Sequence, residues 1–494
     1  MFQKILRYIL SLILLLSMAG TASVQAEELP AESPAEQPTR FVAPKLSKDA
    51  EEYDPAKPEN LKPEQLYAKS AIVIEADTGM VVFEKNPDEK MYPASTTKIL
   101  TVLIGLQNGN LEETVYLSET AANVAEDSSK IPLQIGESIQ MKDLLYATML
   151  RSGNEGANLI AEAVSGDIAT FVNGMNITAQ NLGLSNTHFA NPHGLHDPDH
   201  YTTARDMAKI AQIAMKNPDF AKIVGSSSYT LPKSNMSKRR TLNSRIAEFI
   251  VQSEKNPYYY PFGNGIKTGF TNAAGHCFVA SAEALGVKLI SVVFYSSEAG
   301  RWTDTSKLME YGFSQIVSET IVSMYDFNPI VLETSGYSTS DENLGRLRLD
   351  MVPYSGNTEM RIVSTKEKME AMSRDMLKNS LINYTRDFRA PISKGEPFAT
   401  LTYINPQTNQ TAVYTLVASR DINARENAPL SLWQIEDMVM KDPNFFPDIT
   451  IELVFYWLIP PTVAYLAVTG IVRLFKRRRH KGRTGLLNRK NKRY

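Results

Sequence analysis

The alternation of strand-like and helix-like segments between residues 70 and 319 most strongly limits the fold of this chain. Two β-rich runs flank a D-T-G turn, several helical segments follow, and two further strand-like runs precede a closing helix. The strand-like runs lie at 70–86 and 275–296, and the helical periodicity at 138–166, 202–217 and 303–319. Helices inserted between the strands of one antiparallel sheet predict an α/β (α+β) domain with flanking helices at 64–320.

The sequence changes in character past about residue 325. Short β-like runs are separated there by Gly, Pro and Asn turns, as in PFATLTYIN and TAVYTLVAS. This pattern predicts a small all-β domain at 325–425, followed by a connector at 426–448.

Both ends of the chain have features of an exported membrane protein. Residues 1–26 combine Lys4 and Arg7, an apolar centre and small residues before a cleavage site, which predicts a signal peptide; an uncleaved anchor is the alternative. A Pro- and Glu-rich stalk is predicted at 27–63. The apolar run 449–475 is long enough for a transmembrane helix, with an amphipathic surface helix as the alternative.

The charge distribution predicts how such a helix would be oriented. The formal net charge is −2, yet eleven Lys or Arg and no acid lie in the last 22 residues, so the rest of the chain is acidic. Lys and Arg beside a membrane span mark the cytoplasmic side. We therefore expect a cell-membrane protein with the basic tail 476–494 inside and the catalytic domain on the extracytoplasmic face. An acidic body also argues against nucleic acid as a partner.

Ser95 and Lys98 lie three residues apart, where a polar stretch passes into the apolar run ILTVLIGL. Residues at this spacing share one face of a helix, so the amine can reach the hydroxyl. A serine needs a base to act as a nucleophile, and a buried lysine with a lowered pKa can be that base. The pattern S-x-x-K also arises by chance, so it needs partners elsewhere in the chain.

Two partner motifs follow in order. R-S-G-N-E-G-A-N places Ser152 and Asn154 in the break between two helices, where a hydroxyl can relay a proton and an amide can hold a substrate. G-N-G-I-K-T-G-F places Lys267, Thr268 and Gly269 at the head of a strand, where an amine can bind a carboxylate and a glycine permits close approach of a substrate backbone. Three motifs in this order are typical of penicillin-binding proteins and class A β-lactamases.

The chain resembles the serine-type D-alanyl-D-alanine carboxypeptidases, which are low-molecular-mass penicillin-binding proteins of the S11 peptidase type. FANPHGLHDPDHYTTARDMAKIA and KTGFTNAAGHCFVASA also read like that family, and APISKGEPFATLTY resembles its second, β-rich domain. The resemblance covers about residues 64 to 425. It implies a penicillin-binding-protein/β-lactamase-like catalytic domain that needs no cofactor and no metal.

The resemblance also implies a role for each motif residue. A peptidoglycan stem pentapeptide would acylate the serine, its terminal D-alanine would leave, and water would then free the enzyme; β-lactams would bind covalently to the same serine. The implied roles are Ser95 as nucleophile, Lys98 as general base, Ser152 as proton relay assisted by Asn154, Lys267, Thr268 and Gly269 in substrate binding, and the backbone N–H groups of Ser95 and Phe270 as the oxyanion hole. Many relatives have histidine at the position of Phe270.

Three alternative functions stay open at this point. A β-lactamase of the same fold would need a deacylating glutamate, and no E-x-x-L-N follows the S-x-N motif. A D,D-endopeptidase would use the same three motifs on another bond. A penicillin-binding receptor or scaffold would keep the fold without turnover, although all three motifs are complete here.

Several other features have simpler interpretations. His188, His193, His196 and His200 invite a zinc hypothesis, but their spacing matches no common zinc signature and a structured loop is favoured. Cys277, the single cysteine, excludes an internal disulfide and is interpreted as a buried, inert thiol. The run YYYPF at 258–262 fits a cleft mouth or a packed loop equally well. A second S-G-N at 355–357 is interpreted as a turn.

Overall fold

The computed structural model describes residues 41–46, 51–254, 256–354 and 359–425, and positions 433, 463, 465–469, 471 and 473. The predicted signal peptide, about half of the stalk (27–40 and 47–50), the basic tail and the second S-G-N lie outside these residues, and the segment 449–475 is described only at scattered positions. Within the described residues, no helix is both long and apolar enough to cross a bilayer.

The chain divides into two compact units. One comprises Met1–Thr320 with Arg361–Met372, and the other Ile321–Met360 with Ser373–Tyr494. Among the described residues, the strands are β1 (Ser70–Glu75), β2 (Val81–Lys85), β3 (Thr114–Tyr116), β4 (Ser138–Gln140), β5 (Ser228–Leu231), β6 (Arg240–Asn243), β7 (Gly263–Thr271), β8 (Gly275–Ala284), β9 (Val287–Ser296), β10 (Ile316–Thr320), β11 (Val331–Glu333), β12 (Arg346–Pro353), β13 (Arg361–Thr365), β14 (Ser380–Tyr384), β15 (Pro397–Ile404) and β16 (Thr411–Ala418).

The helices lie mainly between β2 and β7, as the sequence predicts. They are α1 (Lys98–Asn108), α2 (Glu119–Ala122), α3 (Met141–Arg151), α4 (Asn154–Ser165), α5 (Ile168–Asn181), α6 (Ala204–Met215), α7 (Pro218–Val224), α8 (Ala247–Ile250), α9 (Gly300–Gln315), α10 (Ile321–Phe327) and α11 (Lys366–Arg374). Short 3-10 turns occupy Pro58–Asn60, Pro63–Gln65, Ala94–Thr97 and Met376–Asn379.

The first unit is built on a five-stranded antiparallel sheet in the order β2-β1-β9-β8-β7. Successive side chains of a strand point to opposite faces, so each strand contributes to two cores. Ile72 and Ile74 of β1 pack with the helices that precede β7, whereas Ala71 and Val73 pack with Trp302 and other residues of α9. An antiparallel sheet with flanking helices confirms the predicted α+β catalytic fold.

The helix α1 is the central helix of this unit. Its residues from Lys98 to Gly105 are all buried, so it is surrounded by protein on every side. Burial of this kind contributes roughly 1.5–3 kcal/mol for each large apolar side chain. The lysine at its first position is therefore taken out of water by the packing of the whole helix.

The second unit contains its own five-stranded antiparallel sheet, in the order β11-β12-β16-β15-β14. Alternating buried residues along β12, β15 and β16 form its interior. The unit also contains α10 and the 3-10 turn Met376–Asn379, so its described part is not composed of strands alone.

Candidate active site

The predicted nucleophile, Ser95, lies on the 3-10 turn Ala94–Thr97, and the α-helix begins only after this turn. The sequence placed the start of the helix at the serine itself. The hydroxyls of both threonines in the turn donate to the carbonyl oxygens three residues earlier, at 2.7 and 2.8 Å. Such side-chain bonds compete with regular helix formation, which explains the tighter turn. The serine is left half-buried, at the wall of a cleft.

The backbone before the nucleophile is held in an unusual conformation. Ala94 has a φ of 47°, in the left-handed region that few residues other than glycine adopt. The loop that contains Gly194 packs directly on it, because a Cβ atom at Gly194 would lie 1.9 Å from the carbonyl oxygen of Ala94. The strained turn is thus fixed by a backbone-to-backbone contact that only glycine permits.

The amine of Lys98 is completely buried and faces three oxygen atoms. Its Nζ lies 3.1 Å from Ser95 Oγ, 2.7 Å from Asn154 Oδ1 and 2.6 Å from the carbonyl oxygen of His193. A neutral amine has two N–H groups and one lone pair. If the two shorter contacts take the N–H groups, the lone pair points at the serine hydroxyl, as a general base requires.

Burial lowers the pKa of Lys98 from its ordinary value to about 7. The charge of Arg245 acts in the same direction, whereas Glu155 opposes the shift. A base with a pKa near neutrality is deprotonated in a useful fraction of molecules and still accepts a proton readily. The geometry and the pKa together fit the role predicted for this lysine.

The break between α3 and α4 brings the second motif to the same place. Ser152 has φ 62° and ψ 33°, so the chain turns sharply between the two helices. Asn154 begins α4 and accepts from Lys98, whereas Ser152 Oγ accepts from Lys267 Nζ at 3.0 Å. The neighbouring glycine has no space for a side chain, since a Cβ at Gly153 would lie 2.4 Å from Cγ1 of Ile131.

The third motif lies on β7 at the edge of the sheet. Lys267 is only 1% exposed and also donates to the carbonyl oxygen of Thr268 at 2.8 Å. Burial, reinforced by the charges of Lys98 and two arginines, holds the pKa of Lys267 well below its ordinary value. Its observed contact is with Ser152, and the predicted binding of a substrate carboxylate by this amine stays a prediction.

Gly269 brings β7 against the nucleophile's turn. A Cβ there would lie 3.0 Å from the backbone nitrogen of Ser95 and 3.1 Å from the carbonyl oxygen of Pro93. The strand edge and the Ser95 N–H therefore face the same space. The oxyanion hole of Ser95 and Phe270 N–H groups stays a prediction that this arrangement suits.

A cleft of about 560 Å³ opens over these residues. Six of the predicted residues line it, and the two lysines lie buried beneath. The six are Ser95, Ser152, Asn154, Thr268, Gly269 and Phe270. Phe270 is 46% exposed, so its ring forms part of the rim. The fold thus brings together three motifs, of which the first and the last are more than 170 residues apart in the sequence.

Two arginines in the cleft lining were not predicted from the sequence. Arg245 precedes α8, and Arg301 lies in the first turn of α9. A cation at a helix N-terminus is disfavoured by the helix dipole, and this anomaly is the one sequence signal that pointed to Arg301. The lining also includes Asp127 and Glu248, so the two arginines are local cationic groups in a cleft of mixed charge.

Glu155 was also not predicted from the sequence as part of the site. It is buried directly after Asn154, and one carboxylate oxygen accepts from the backbone N–H of Ile131. Burial raises the pKa of Glu155 to about 7. Because Asn154 N donates to the carbonyl oxygen of Ser129 at 2.9 Å, the start of α4 holds the loop that forms the cleft wall at residues 127–129.

Two residues of the histidine-rich loop, His193 and His200, make hydrogen bonds that support the site. The carbonyl of His193 accepts from Lys98, and His200 Nδ1 accepts from the backbone N–H of Ala190, so its Nε2–H faces Thr97 Oγ1 at 2.8 Å. Burial lowers the pKa of His200 to about 3, which keeps it neutral. In the described residues, no three His, Cys, Asp or Glu side chains are grouped as metal ligands.

The structure also shows the surroundings of Cys277 and of the segment before the K-T-G motif. Cys277 is buried, and burial raises its thiol pKa to about 12, so it is poorly suited to react as a thiolate. Tyr260 packs on Phe249 at 5.6 Å between ring centroids, as in a packed loop. In the segment 246–266, which precedes the K-T-G motif, Ala247 and Glu248 line the cleft.

Comparison with known proteins identifies the family of this chain. A family model described as D-alanyl-D-alanine carboxypeptidase matches residues 57–298. The chain is 32% identical over 341 residues to D-alanyl-D-alanine carboxypeptidase DacF of Bacillus subtilis, covering 68% of this chain and 80% of that relative. The chain belongs to the D-alanyl-D-alanine carboxypeptidase family. The predicted family is thereby confirmed.

Two further members of this family extend the comparison. D-alanyl-D-alanine carboxypeptidase DacB2 of Mycobacterium tuberculosis is 32% identical over 253 residues, which cover 50% of this chain and 82% of the relative. The solved structure of the Streptomyces K15 DD-transpeptidase shares 30% identity over 50% of this chain and 97% of its own, with a TM-score of 0.46.

Proposed function

We propose that this protein is a serine-type D-alanyl-D-alanine carboxypeptidase that removes the terminal D-alanine from peptidoglycan stem pentapeptides. The observation that carries the proposal is the buried Lys98 amine, held by Asn154 and His193 with Ser95 Oγ as its third neighbour. This arrangement activates a serine without a histidine. The family to which the chain belongs performs this chemistry.

The reaction proceeds in two steps, acylation and deacylation of the serine. In the first, Ser95 Oγ attacks the carbonyl carbon between the two D-alanines while its proton passes to Lys98. The C–N bond then breaks, and the proton that Lys98 accepted passes to the departing D-alanine nitrogen, with Ser152 of the same cleft as the proposed relay. In the second step, water attacks the acyl-serine ester, and its proton returns to Ser95 Oγ as the shortened peptide leaves.

Two arginines in the cleft lining suit a substrate that ends in a carboxylate. Arg245 and Arg301 line the cleft, and Thr268, which carries a hydroxyl, lines it as well. A β-lactam carries both a reactive amide and a carboxylate, so we expect it to acylate the same serine.

Mass spectrometry of the purified full-length protein tests the proposal. Incubation with a pentapeptide ending in D-Ala-D-Ala should release one alanine, and penicillin should leave a stable adduct on Ser95. Ser95→Ala should fold normally and do neither. An adduct without alanine release would favour a receptor or an endopeptidase, and rapid penicillin hydrolysis without a lasting adduct would favour a β-lactamase.

We further propose that the protein acts at the outer face of the cell membrane. Support comes from the signal-like residues 1–26, the apolar run 449–475 and the basic tail after it. Stem peptides of the wall lie on that side. Protease added to intact spheroplasts should digest the two units and spare an epitope fused to the C-terminus; digestion of the epitope as well would overturn this orientation.

A further inference from the structure

Arg301 carries an uncompensated charge at the cleft wall. Its guanidinium carbon lies 4.7 Å from the centroid of the buried Trp302 ring, which fixes one face of the group. Its Nε is buried and has no hydrogen-bond partner in the part of the chain that the structure describes. Burial lowers the pKa of Arg301, and the nearby Glu298 and Glu248 only partly oppose this shift; no described carboxylate forms an ion pair with it.

The protein contact that orients this guanidinium is with a histidine. Arg301 Nη1 lies 3.2 Å from His276 Nδ1, on β8. An arginine can only donate, so the imidazole must accept at Nδ1 and carry its proton on Nε2. Burial, with the charge of Arg301, lowers the pKa of His276 to about 4, so the ring is neutral near pH 7. The contact therefore fixes the guanidinium without neutralising its charge.

His276 is itself held between aromatic rings. The Phe270 ring centroid lies 4.3 Å away, and Phe41 packs edge-on at 5.4 Å. Phe41 also contacts Phe270 and Tyr295, at 5.8 and 5.6 Å. Since Phe270 directly follows the K-T-G motif and forms the cleft rim, the imidazole is anchored to the strand that carries that motif.

We propose that His276 is a positioning residue, which holds the Arg301 guanidinium at the cleft wall so that it meets the terminal carboxylate of the peptide. The inference rests on the proposed function. An arginine side chain has large rotamer freedom, and a partner that fixes it beforehand reduces the entropy lost when the substrate binds. A neutral partner leaves the remaining N–H groups and the full positive charge for the carboxylate.

A double-mutant cycle on alanine release by the full-length protein tests this role. His276→Phe keeps a ring but removes the acceptor, and we expect kcat/KM to fall about tenfold, mainly through KM. His276→Asn, whose Oδ1 can replace Nδ1, should recover activity to within about threefold of the wild type. In an Arg301→Ala background, His276→Phe should cause no further loss.

The matched control is Tyr295→Phe, which alters another ring of the same aromatic cluster and should leave kcat/KM unchanged. Thermal unfolding establishes that each variant is folded; if the phenylalanine variant is not, His276→Ala replaces it in the cycle. Wild-type kcat/KM in the folded variant, or losses that multiply in the Arg301→Ala background, would overturn the inference. A wild-type protein that releases no alanine would instead refute the proposed function.

Discussion

Lys98 shows how the chemistry of one residue depends on the packing of a whole helix. Its amine is buried because α1 is surrounded by protein, and burial brings its pKa to about 7. The three oxygen atoms around its amine come from the serine turn, the start of α4 and the histidine loop. The residue can therefore act as a base only in the folded state.

The first prediction concerns the pH dependence of acylation. In the proposed mechanism the neutral form of Lys98 is the base, and burial lowers the pKa of this lysine to about 7. Acylation of Ser95 by a fluorescent penicillin should therefore slow by about tenfold per pH unit below neutrality and level off above it. Rapid-mixing rates from about pH 5.5 to about pH 8.5 measure this profile.

Glu155 titrates in the same range, so a control must separate the two groups. Glu155→Gln removes that carboxyl and should leave the rise in rate with pH. A flat profile in the wild type, or a rise that disappears in this variant, would show that Lys98 is not the controlling group.

The second prediction tests the contact beneath the nucleophile. Gly194→Ala would place a Cβ 1.9 Å from the carbonyl oxygen of Ala94, so the turn that carries Ser95 must shift. We expect penicillin acylation to fall by about a hundredfold or more, because a displacement of about 1 Å at a reacting atom has effects of this size.

Gly183→Ala is the matched control for this substitution. Gly183 has a φ of 74°, similar to the 87° of Gly194, but a Cβ there would meet no atom within 4 Å. It should lose about 1 kcal/mol of stability from backbone strain and acylate at the wild-type rate. Equal acylation rates in the two variants would mean that the contact does not position the serine.

At the level of elements, the start of α4 holds both the base and a wall of the cleft. Asn154 Oδ1 accepts from Lys98, while Asn154 N and Glu155 bind the backbone at Ser129 and Ile131. Three consecutive residues, with Gly153, thus connect the loop to the catalytic lysine. This arrangement costs stability, because it buries a carboxyl of which one oxygen has no hydrogen-bond partner among the described residues.

The third prediction concerns that carboxyl. Burial raises the folded-state pKa of Glu155 from its ordinary value of 4.5 to about 7. The stabilising effect of the protonated form is complete below about pH 4.5 and is lost as the pH rises to about 7. Glu155→Gln should remove this loss, so the variant should gain roughly 1–3 kcal/mol relative to the wild type between these pH values.

Chemical unfolding of both proteins at a series of pH values measures this difference. Glu162→Gln, on the same helix but less buried, is a suitable control and should show no comparable gain. A free-energy difference that is constant from about pH 4.5 to about pH 7 would contradict the assignment of the raised pKa to Glu155.

At the level of the whole molecule, the described chain forms two units, each with its own sheet and interior. The three motifs and the cleft all belong to the first unit. We therefore expect the chemistry to be insensitive to the packing of the second sheet.

The fourth prediction tests this separation. Leu401, on β15, is fully buried, and Leu401→Ala should destabilise the second unit by about 2–5 kcal/mol. Labelling of Ser95 by penicillin should be unchanged, because no residue of the cleft is touched. Calorimetry and labelling of the same samples measure the two effects.

Leu381, in the neighbouring strand β14, provides the matched control. It is 62% exposed, so Leu381→Ala should change neither unfolding nor labelling. A loss of labelling in the Leu401 variant at a temperature where it remains folded would show that the second unit supports the site.

The sequence by itself determined the fold class of the catalytic domain and the family. Hydrophobic periodicity is a local property, so the sheet, the helices and the break at Ser152 could be predicted from short windows. The three motifs have fixed local spacings, and their order in the chain was enough to indicate a serine acyl-enzyme. The 3-10 turn at Ser95 was not predicted: local threonine hydroxyl bonds favour it, but the left-handed Ala94 that precedes the serine is held by the distant loop of Gly194.

Only the tertiary structure decided which groups surround these motifs. Arg245, Arg301 and His276 belong to none of them. Arg301 and His276 reach the cleft wall on α9 and β8, and Arg245 is held by the backbone of Leu150 and Arg151 at the end of α3. The pKa of Lys98 and the role of Gly194 likewise depend on atoms that lie about a hundred residues away in sequence or on burial by the whole core. Burial and long-range contacts arise when the chain is assembled, and local sequence patterns do not contain them.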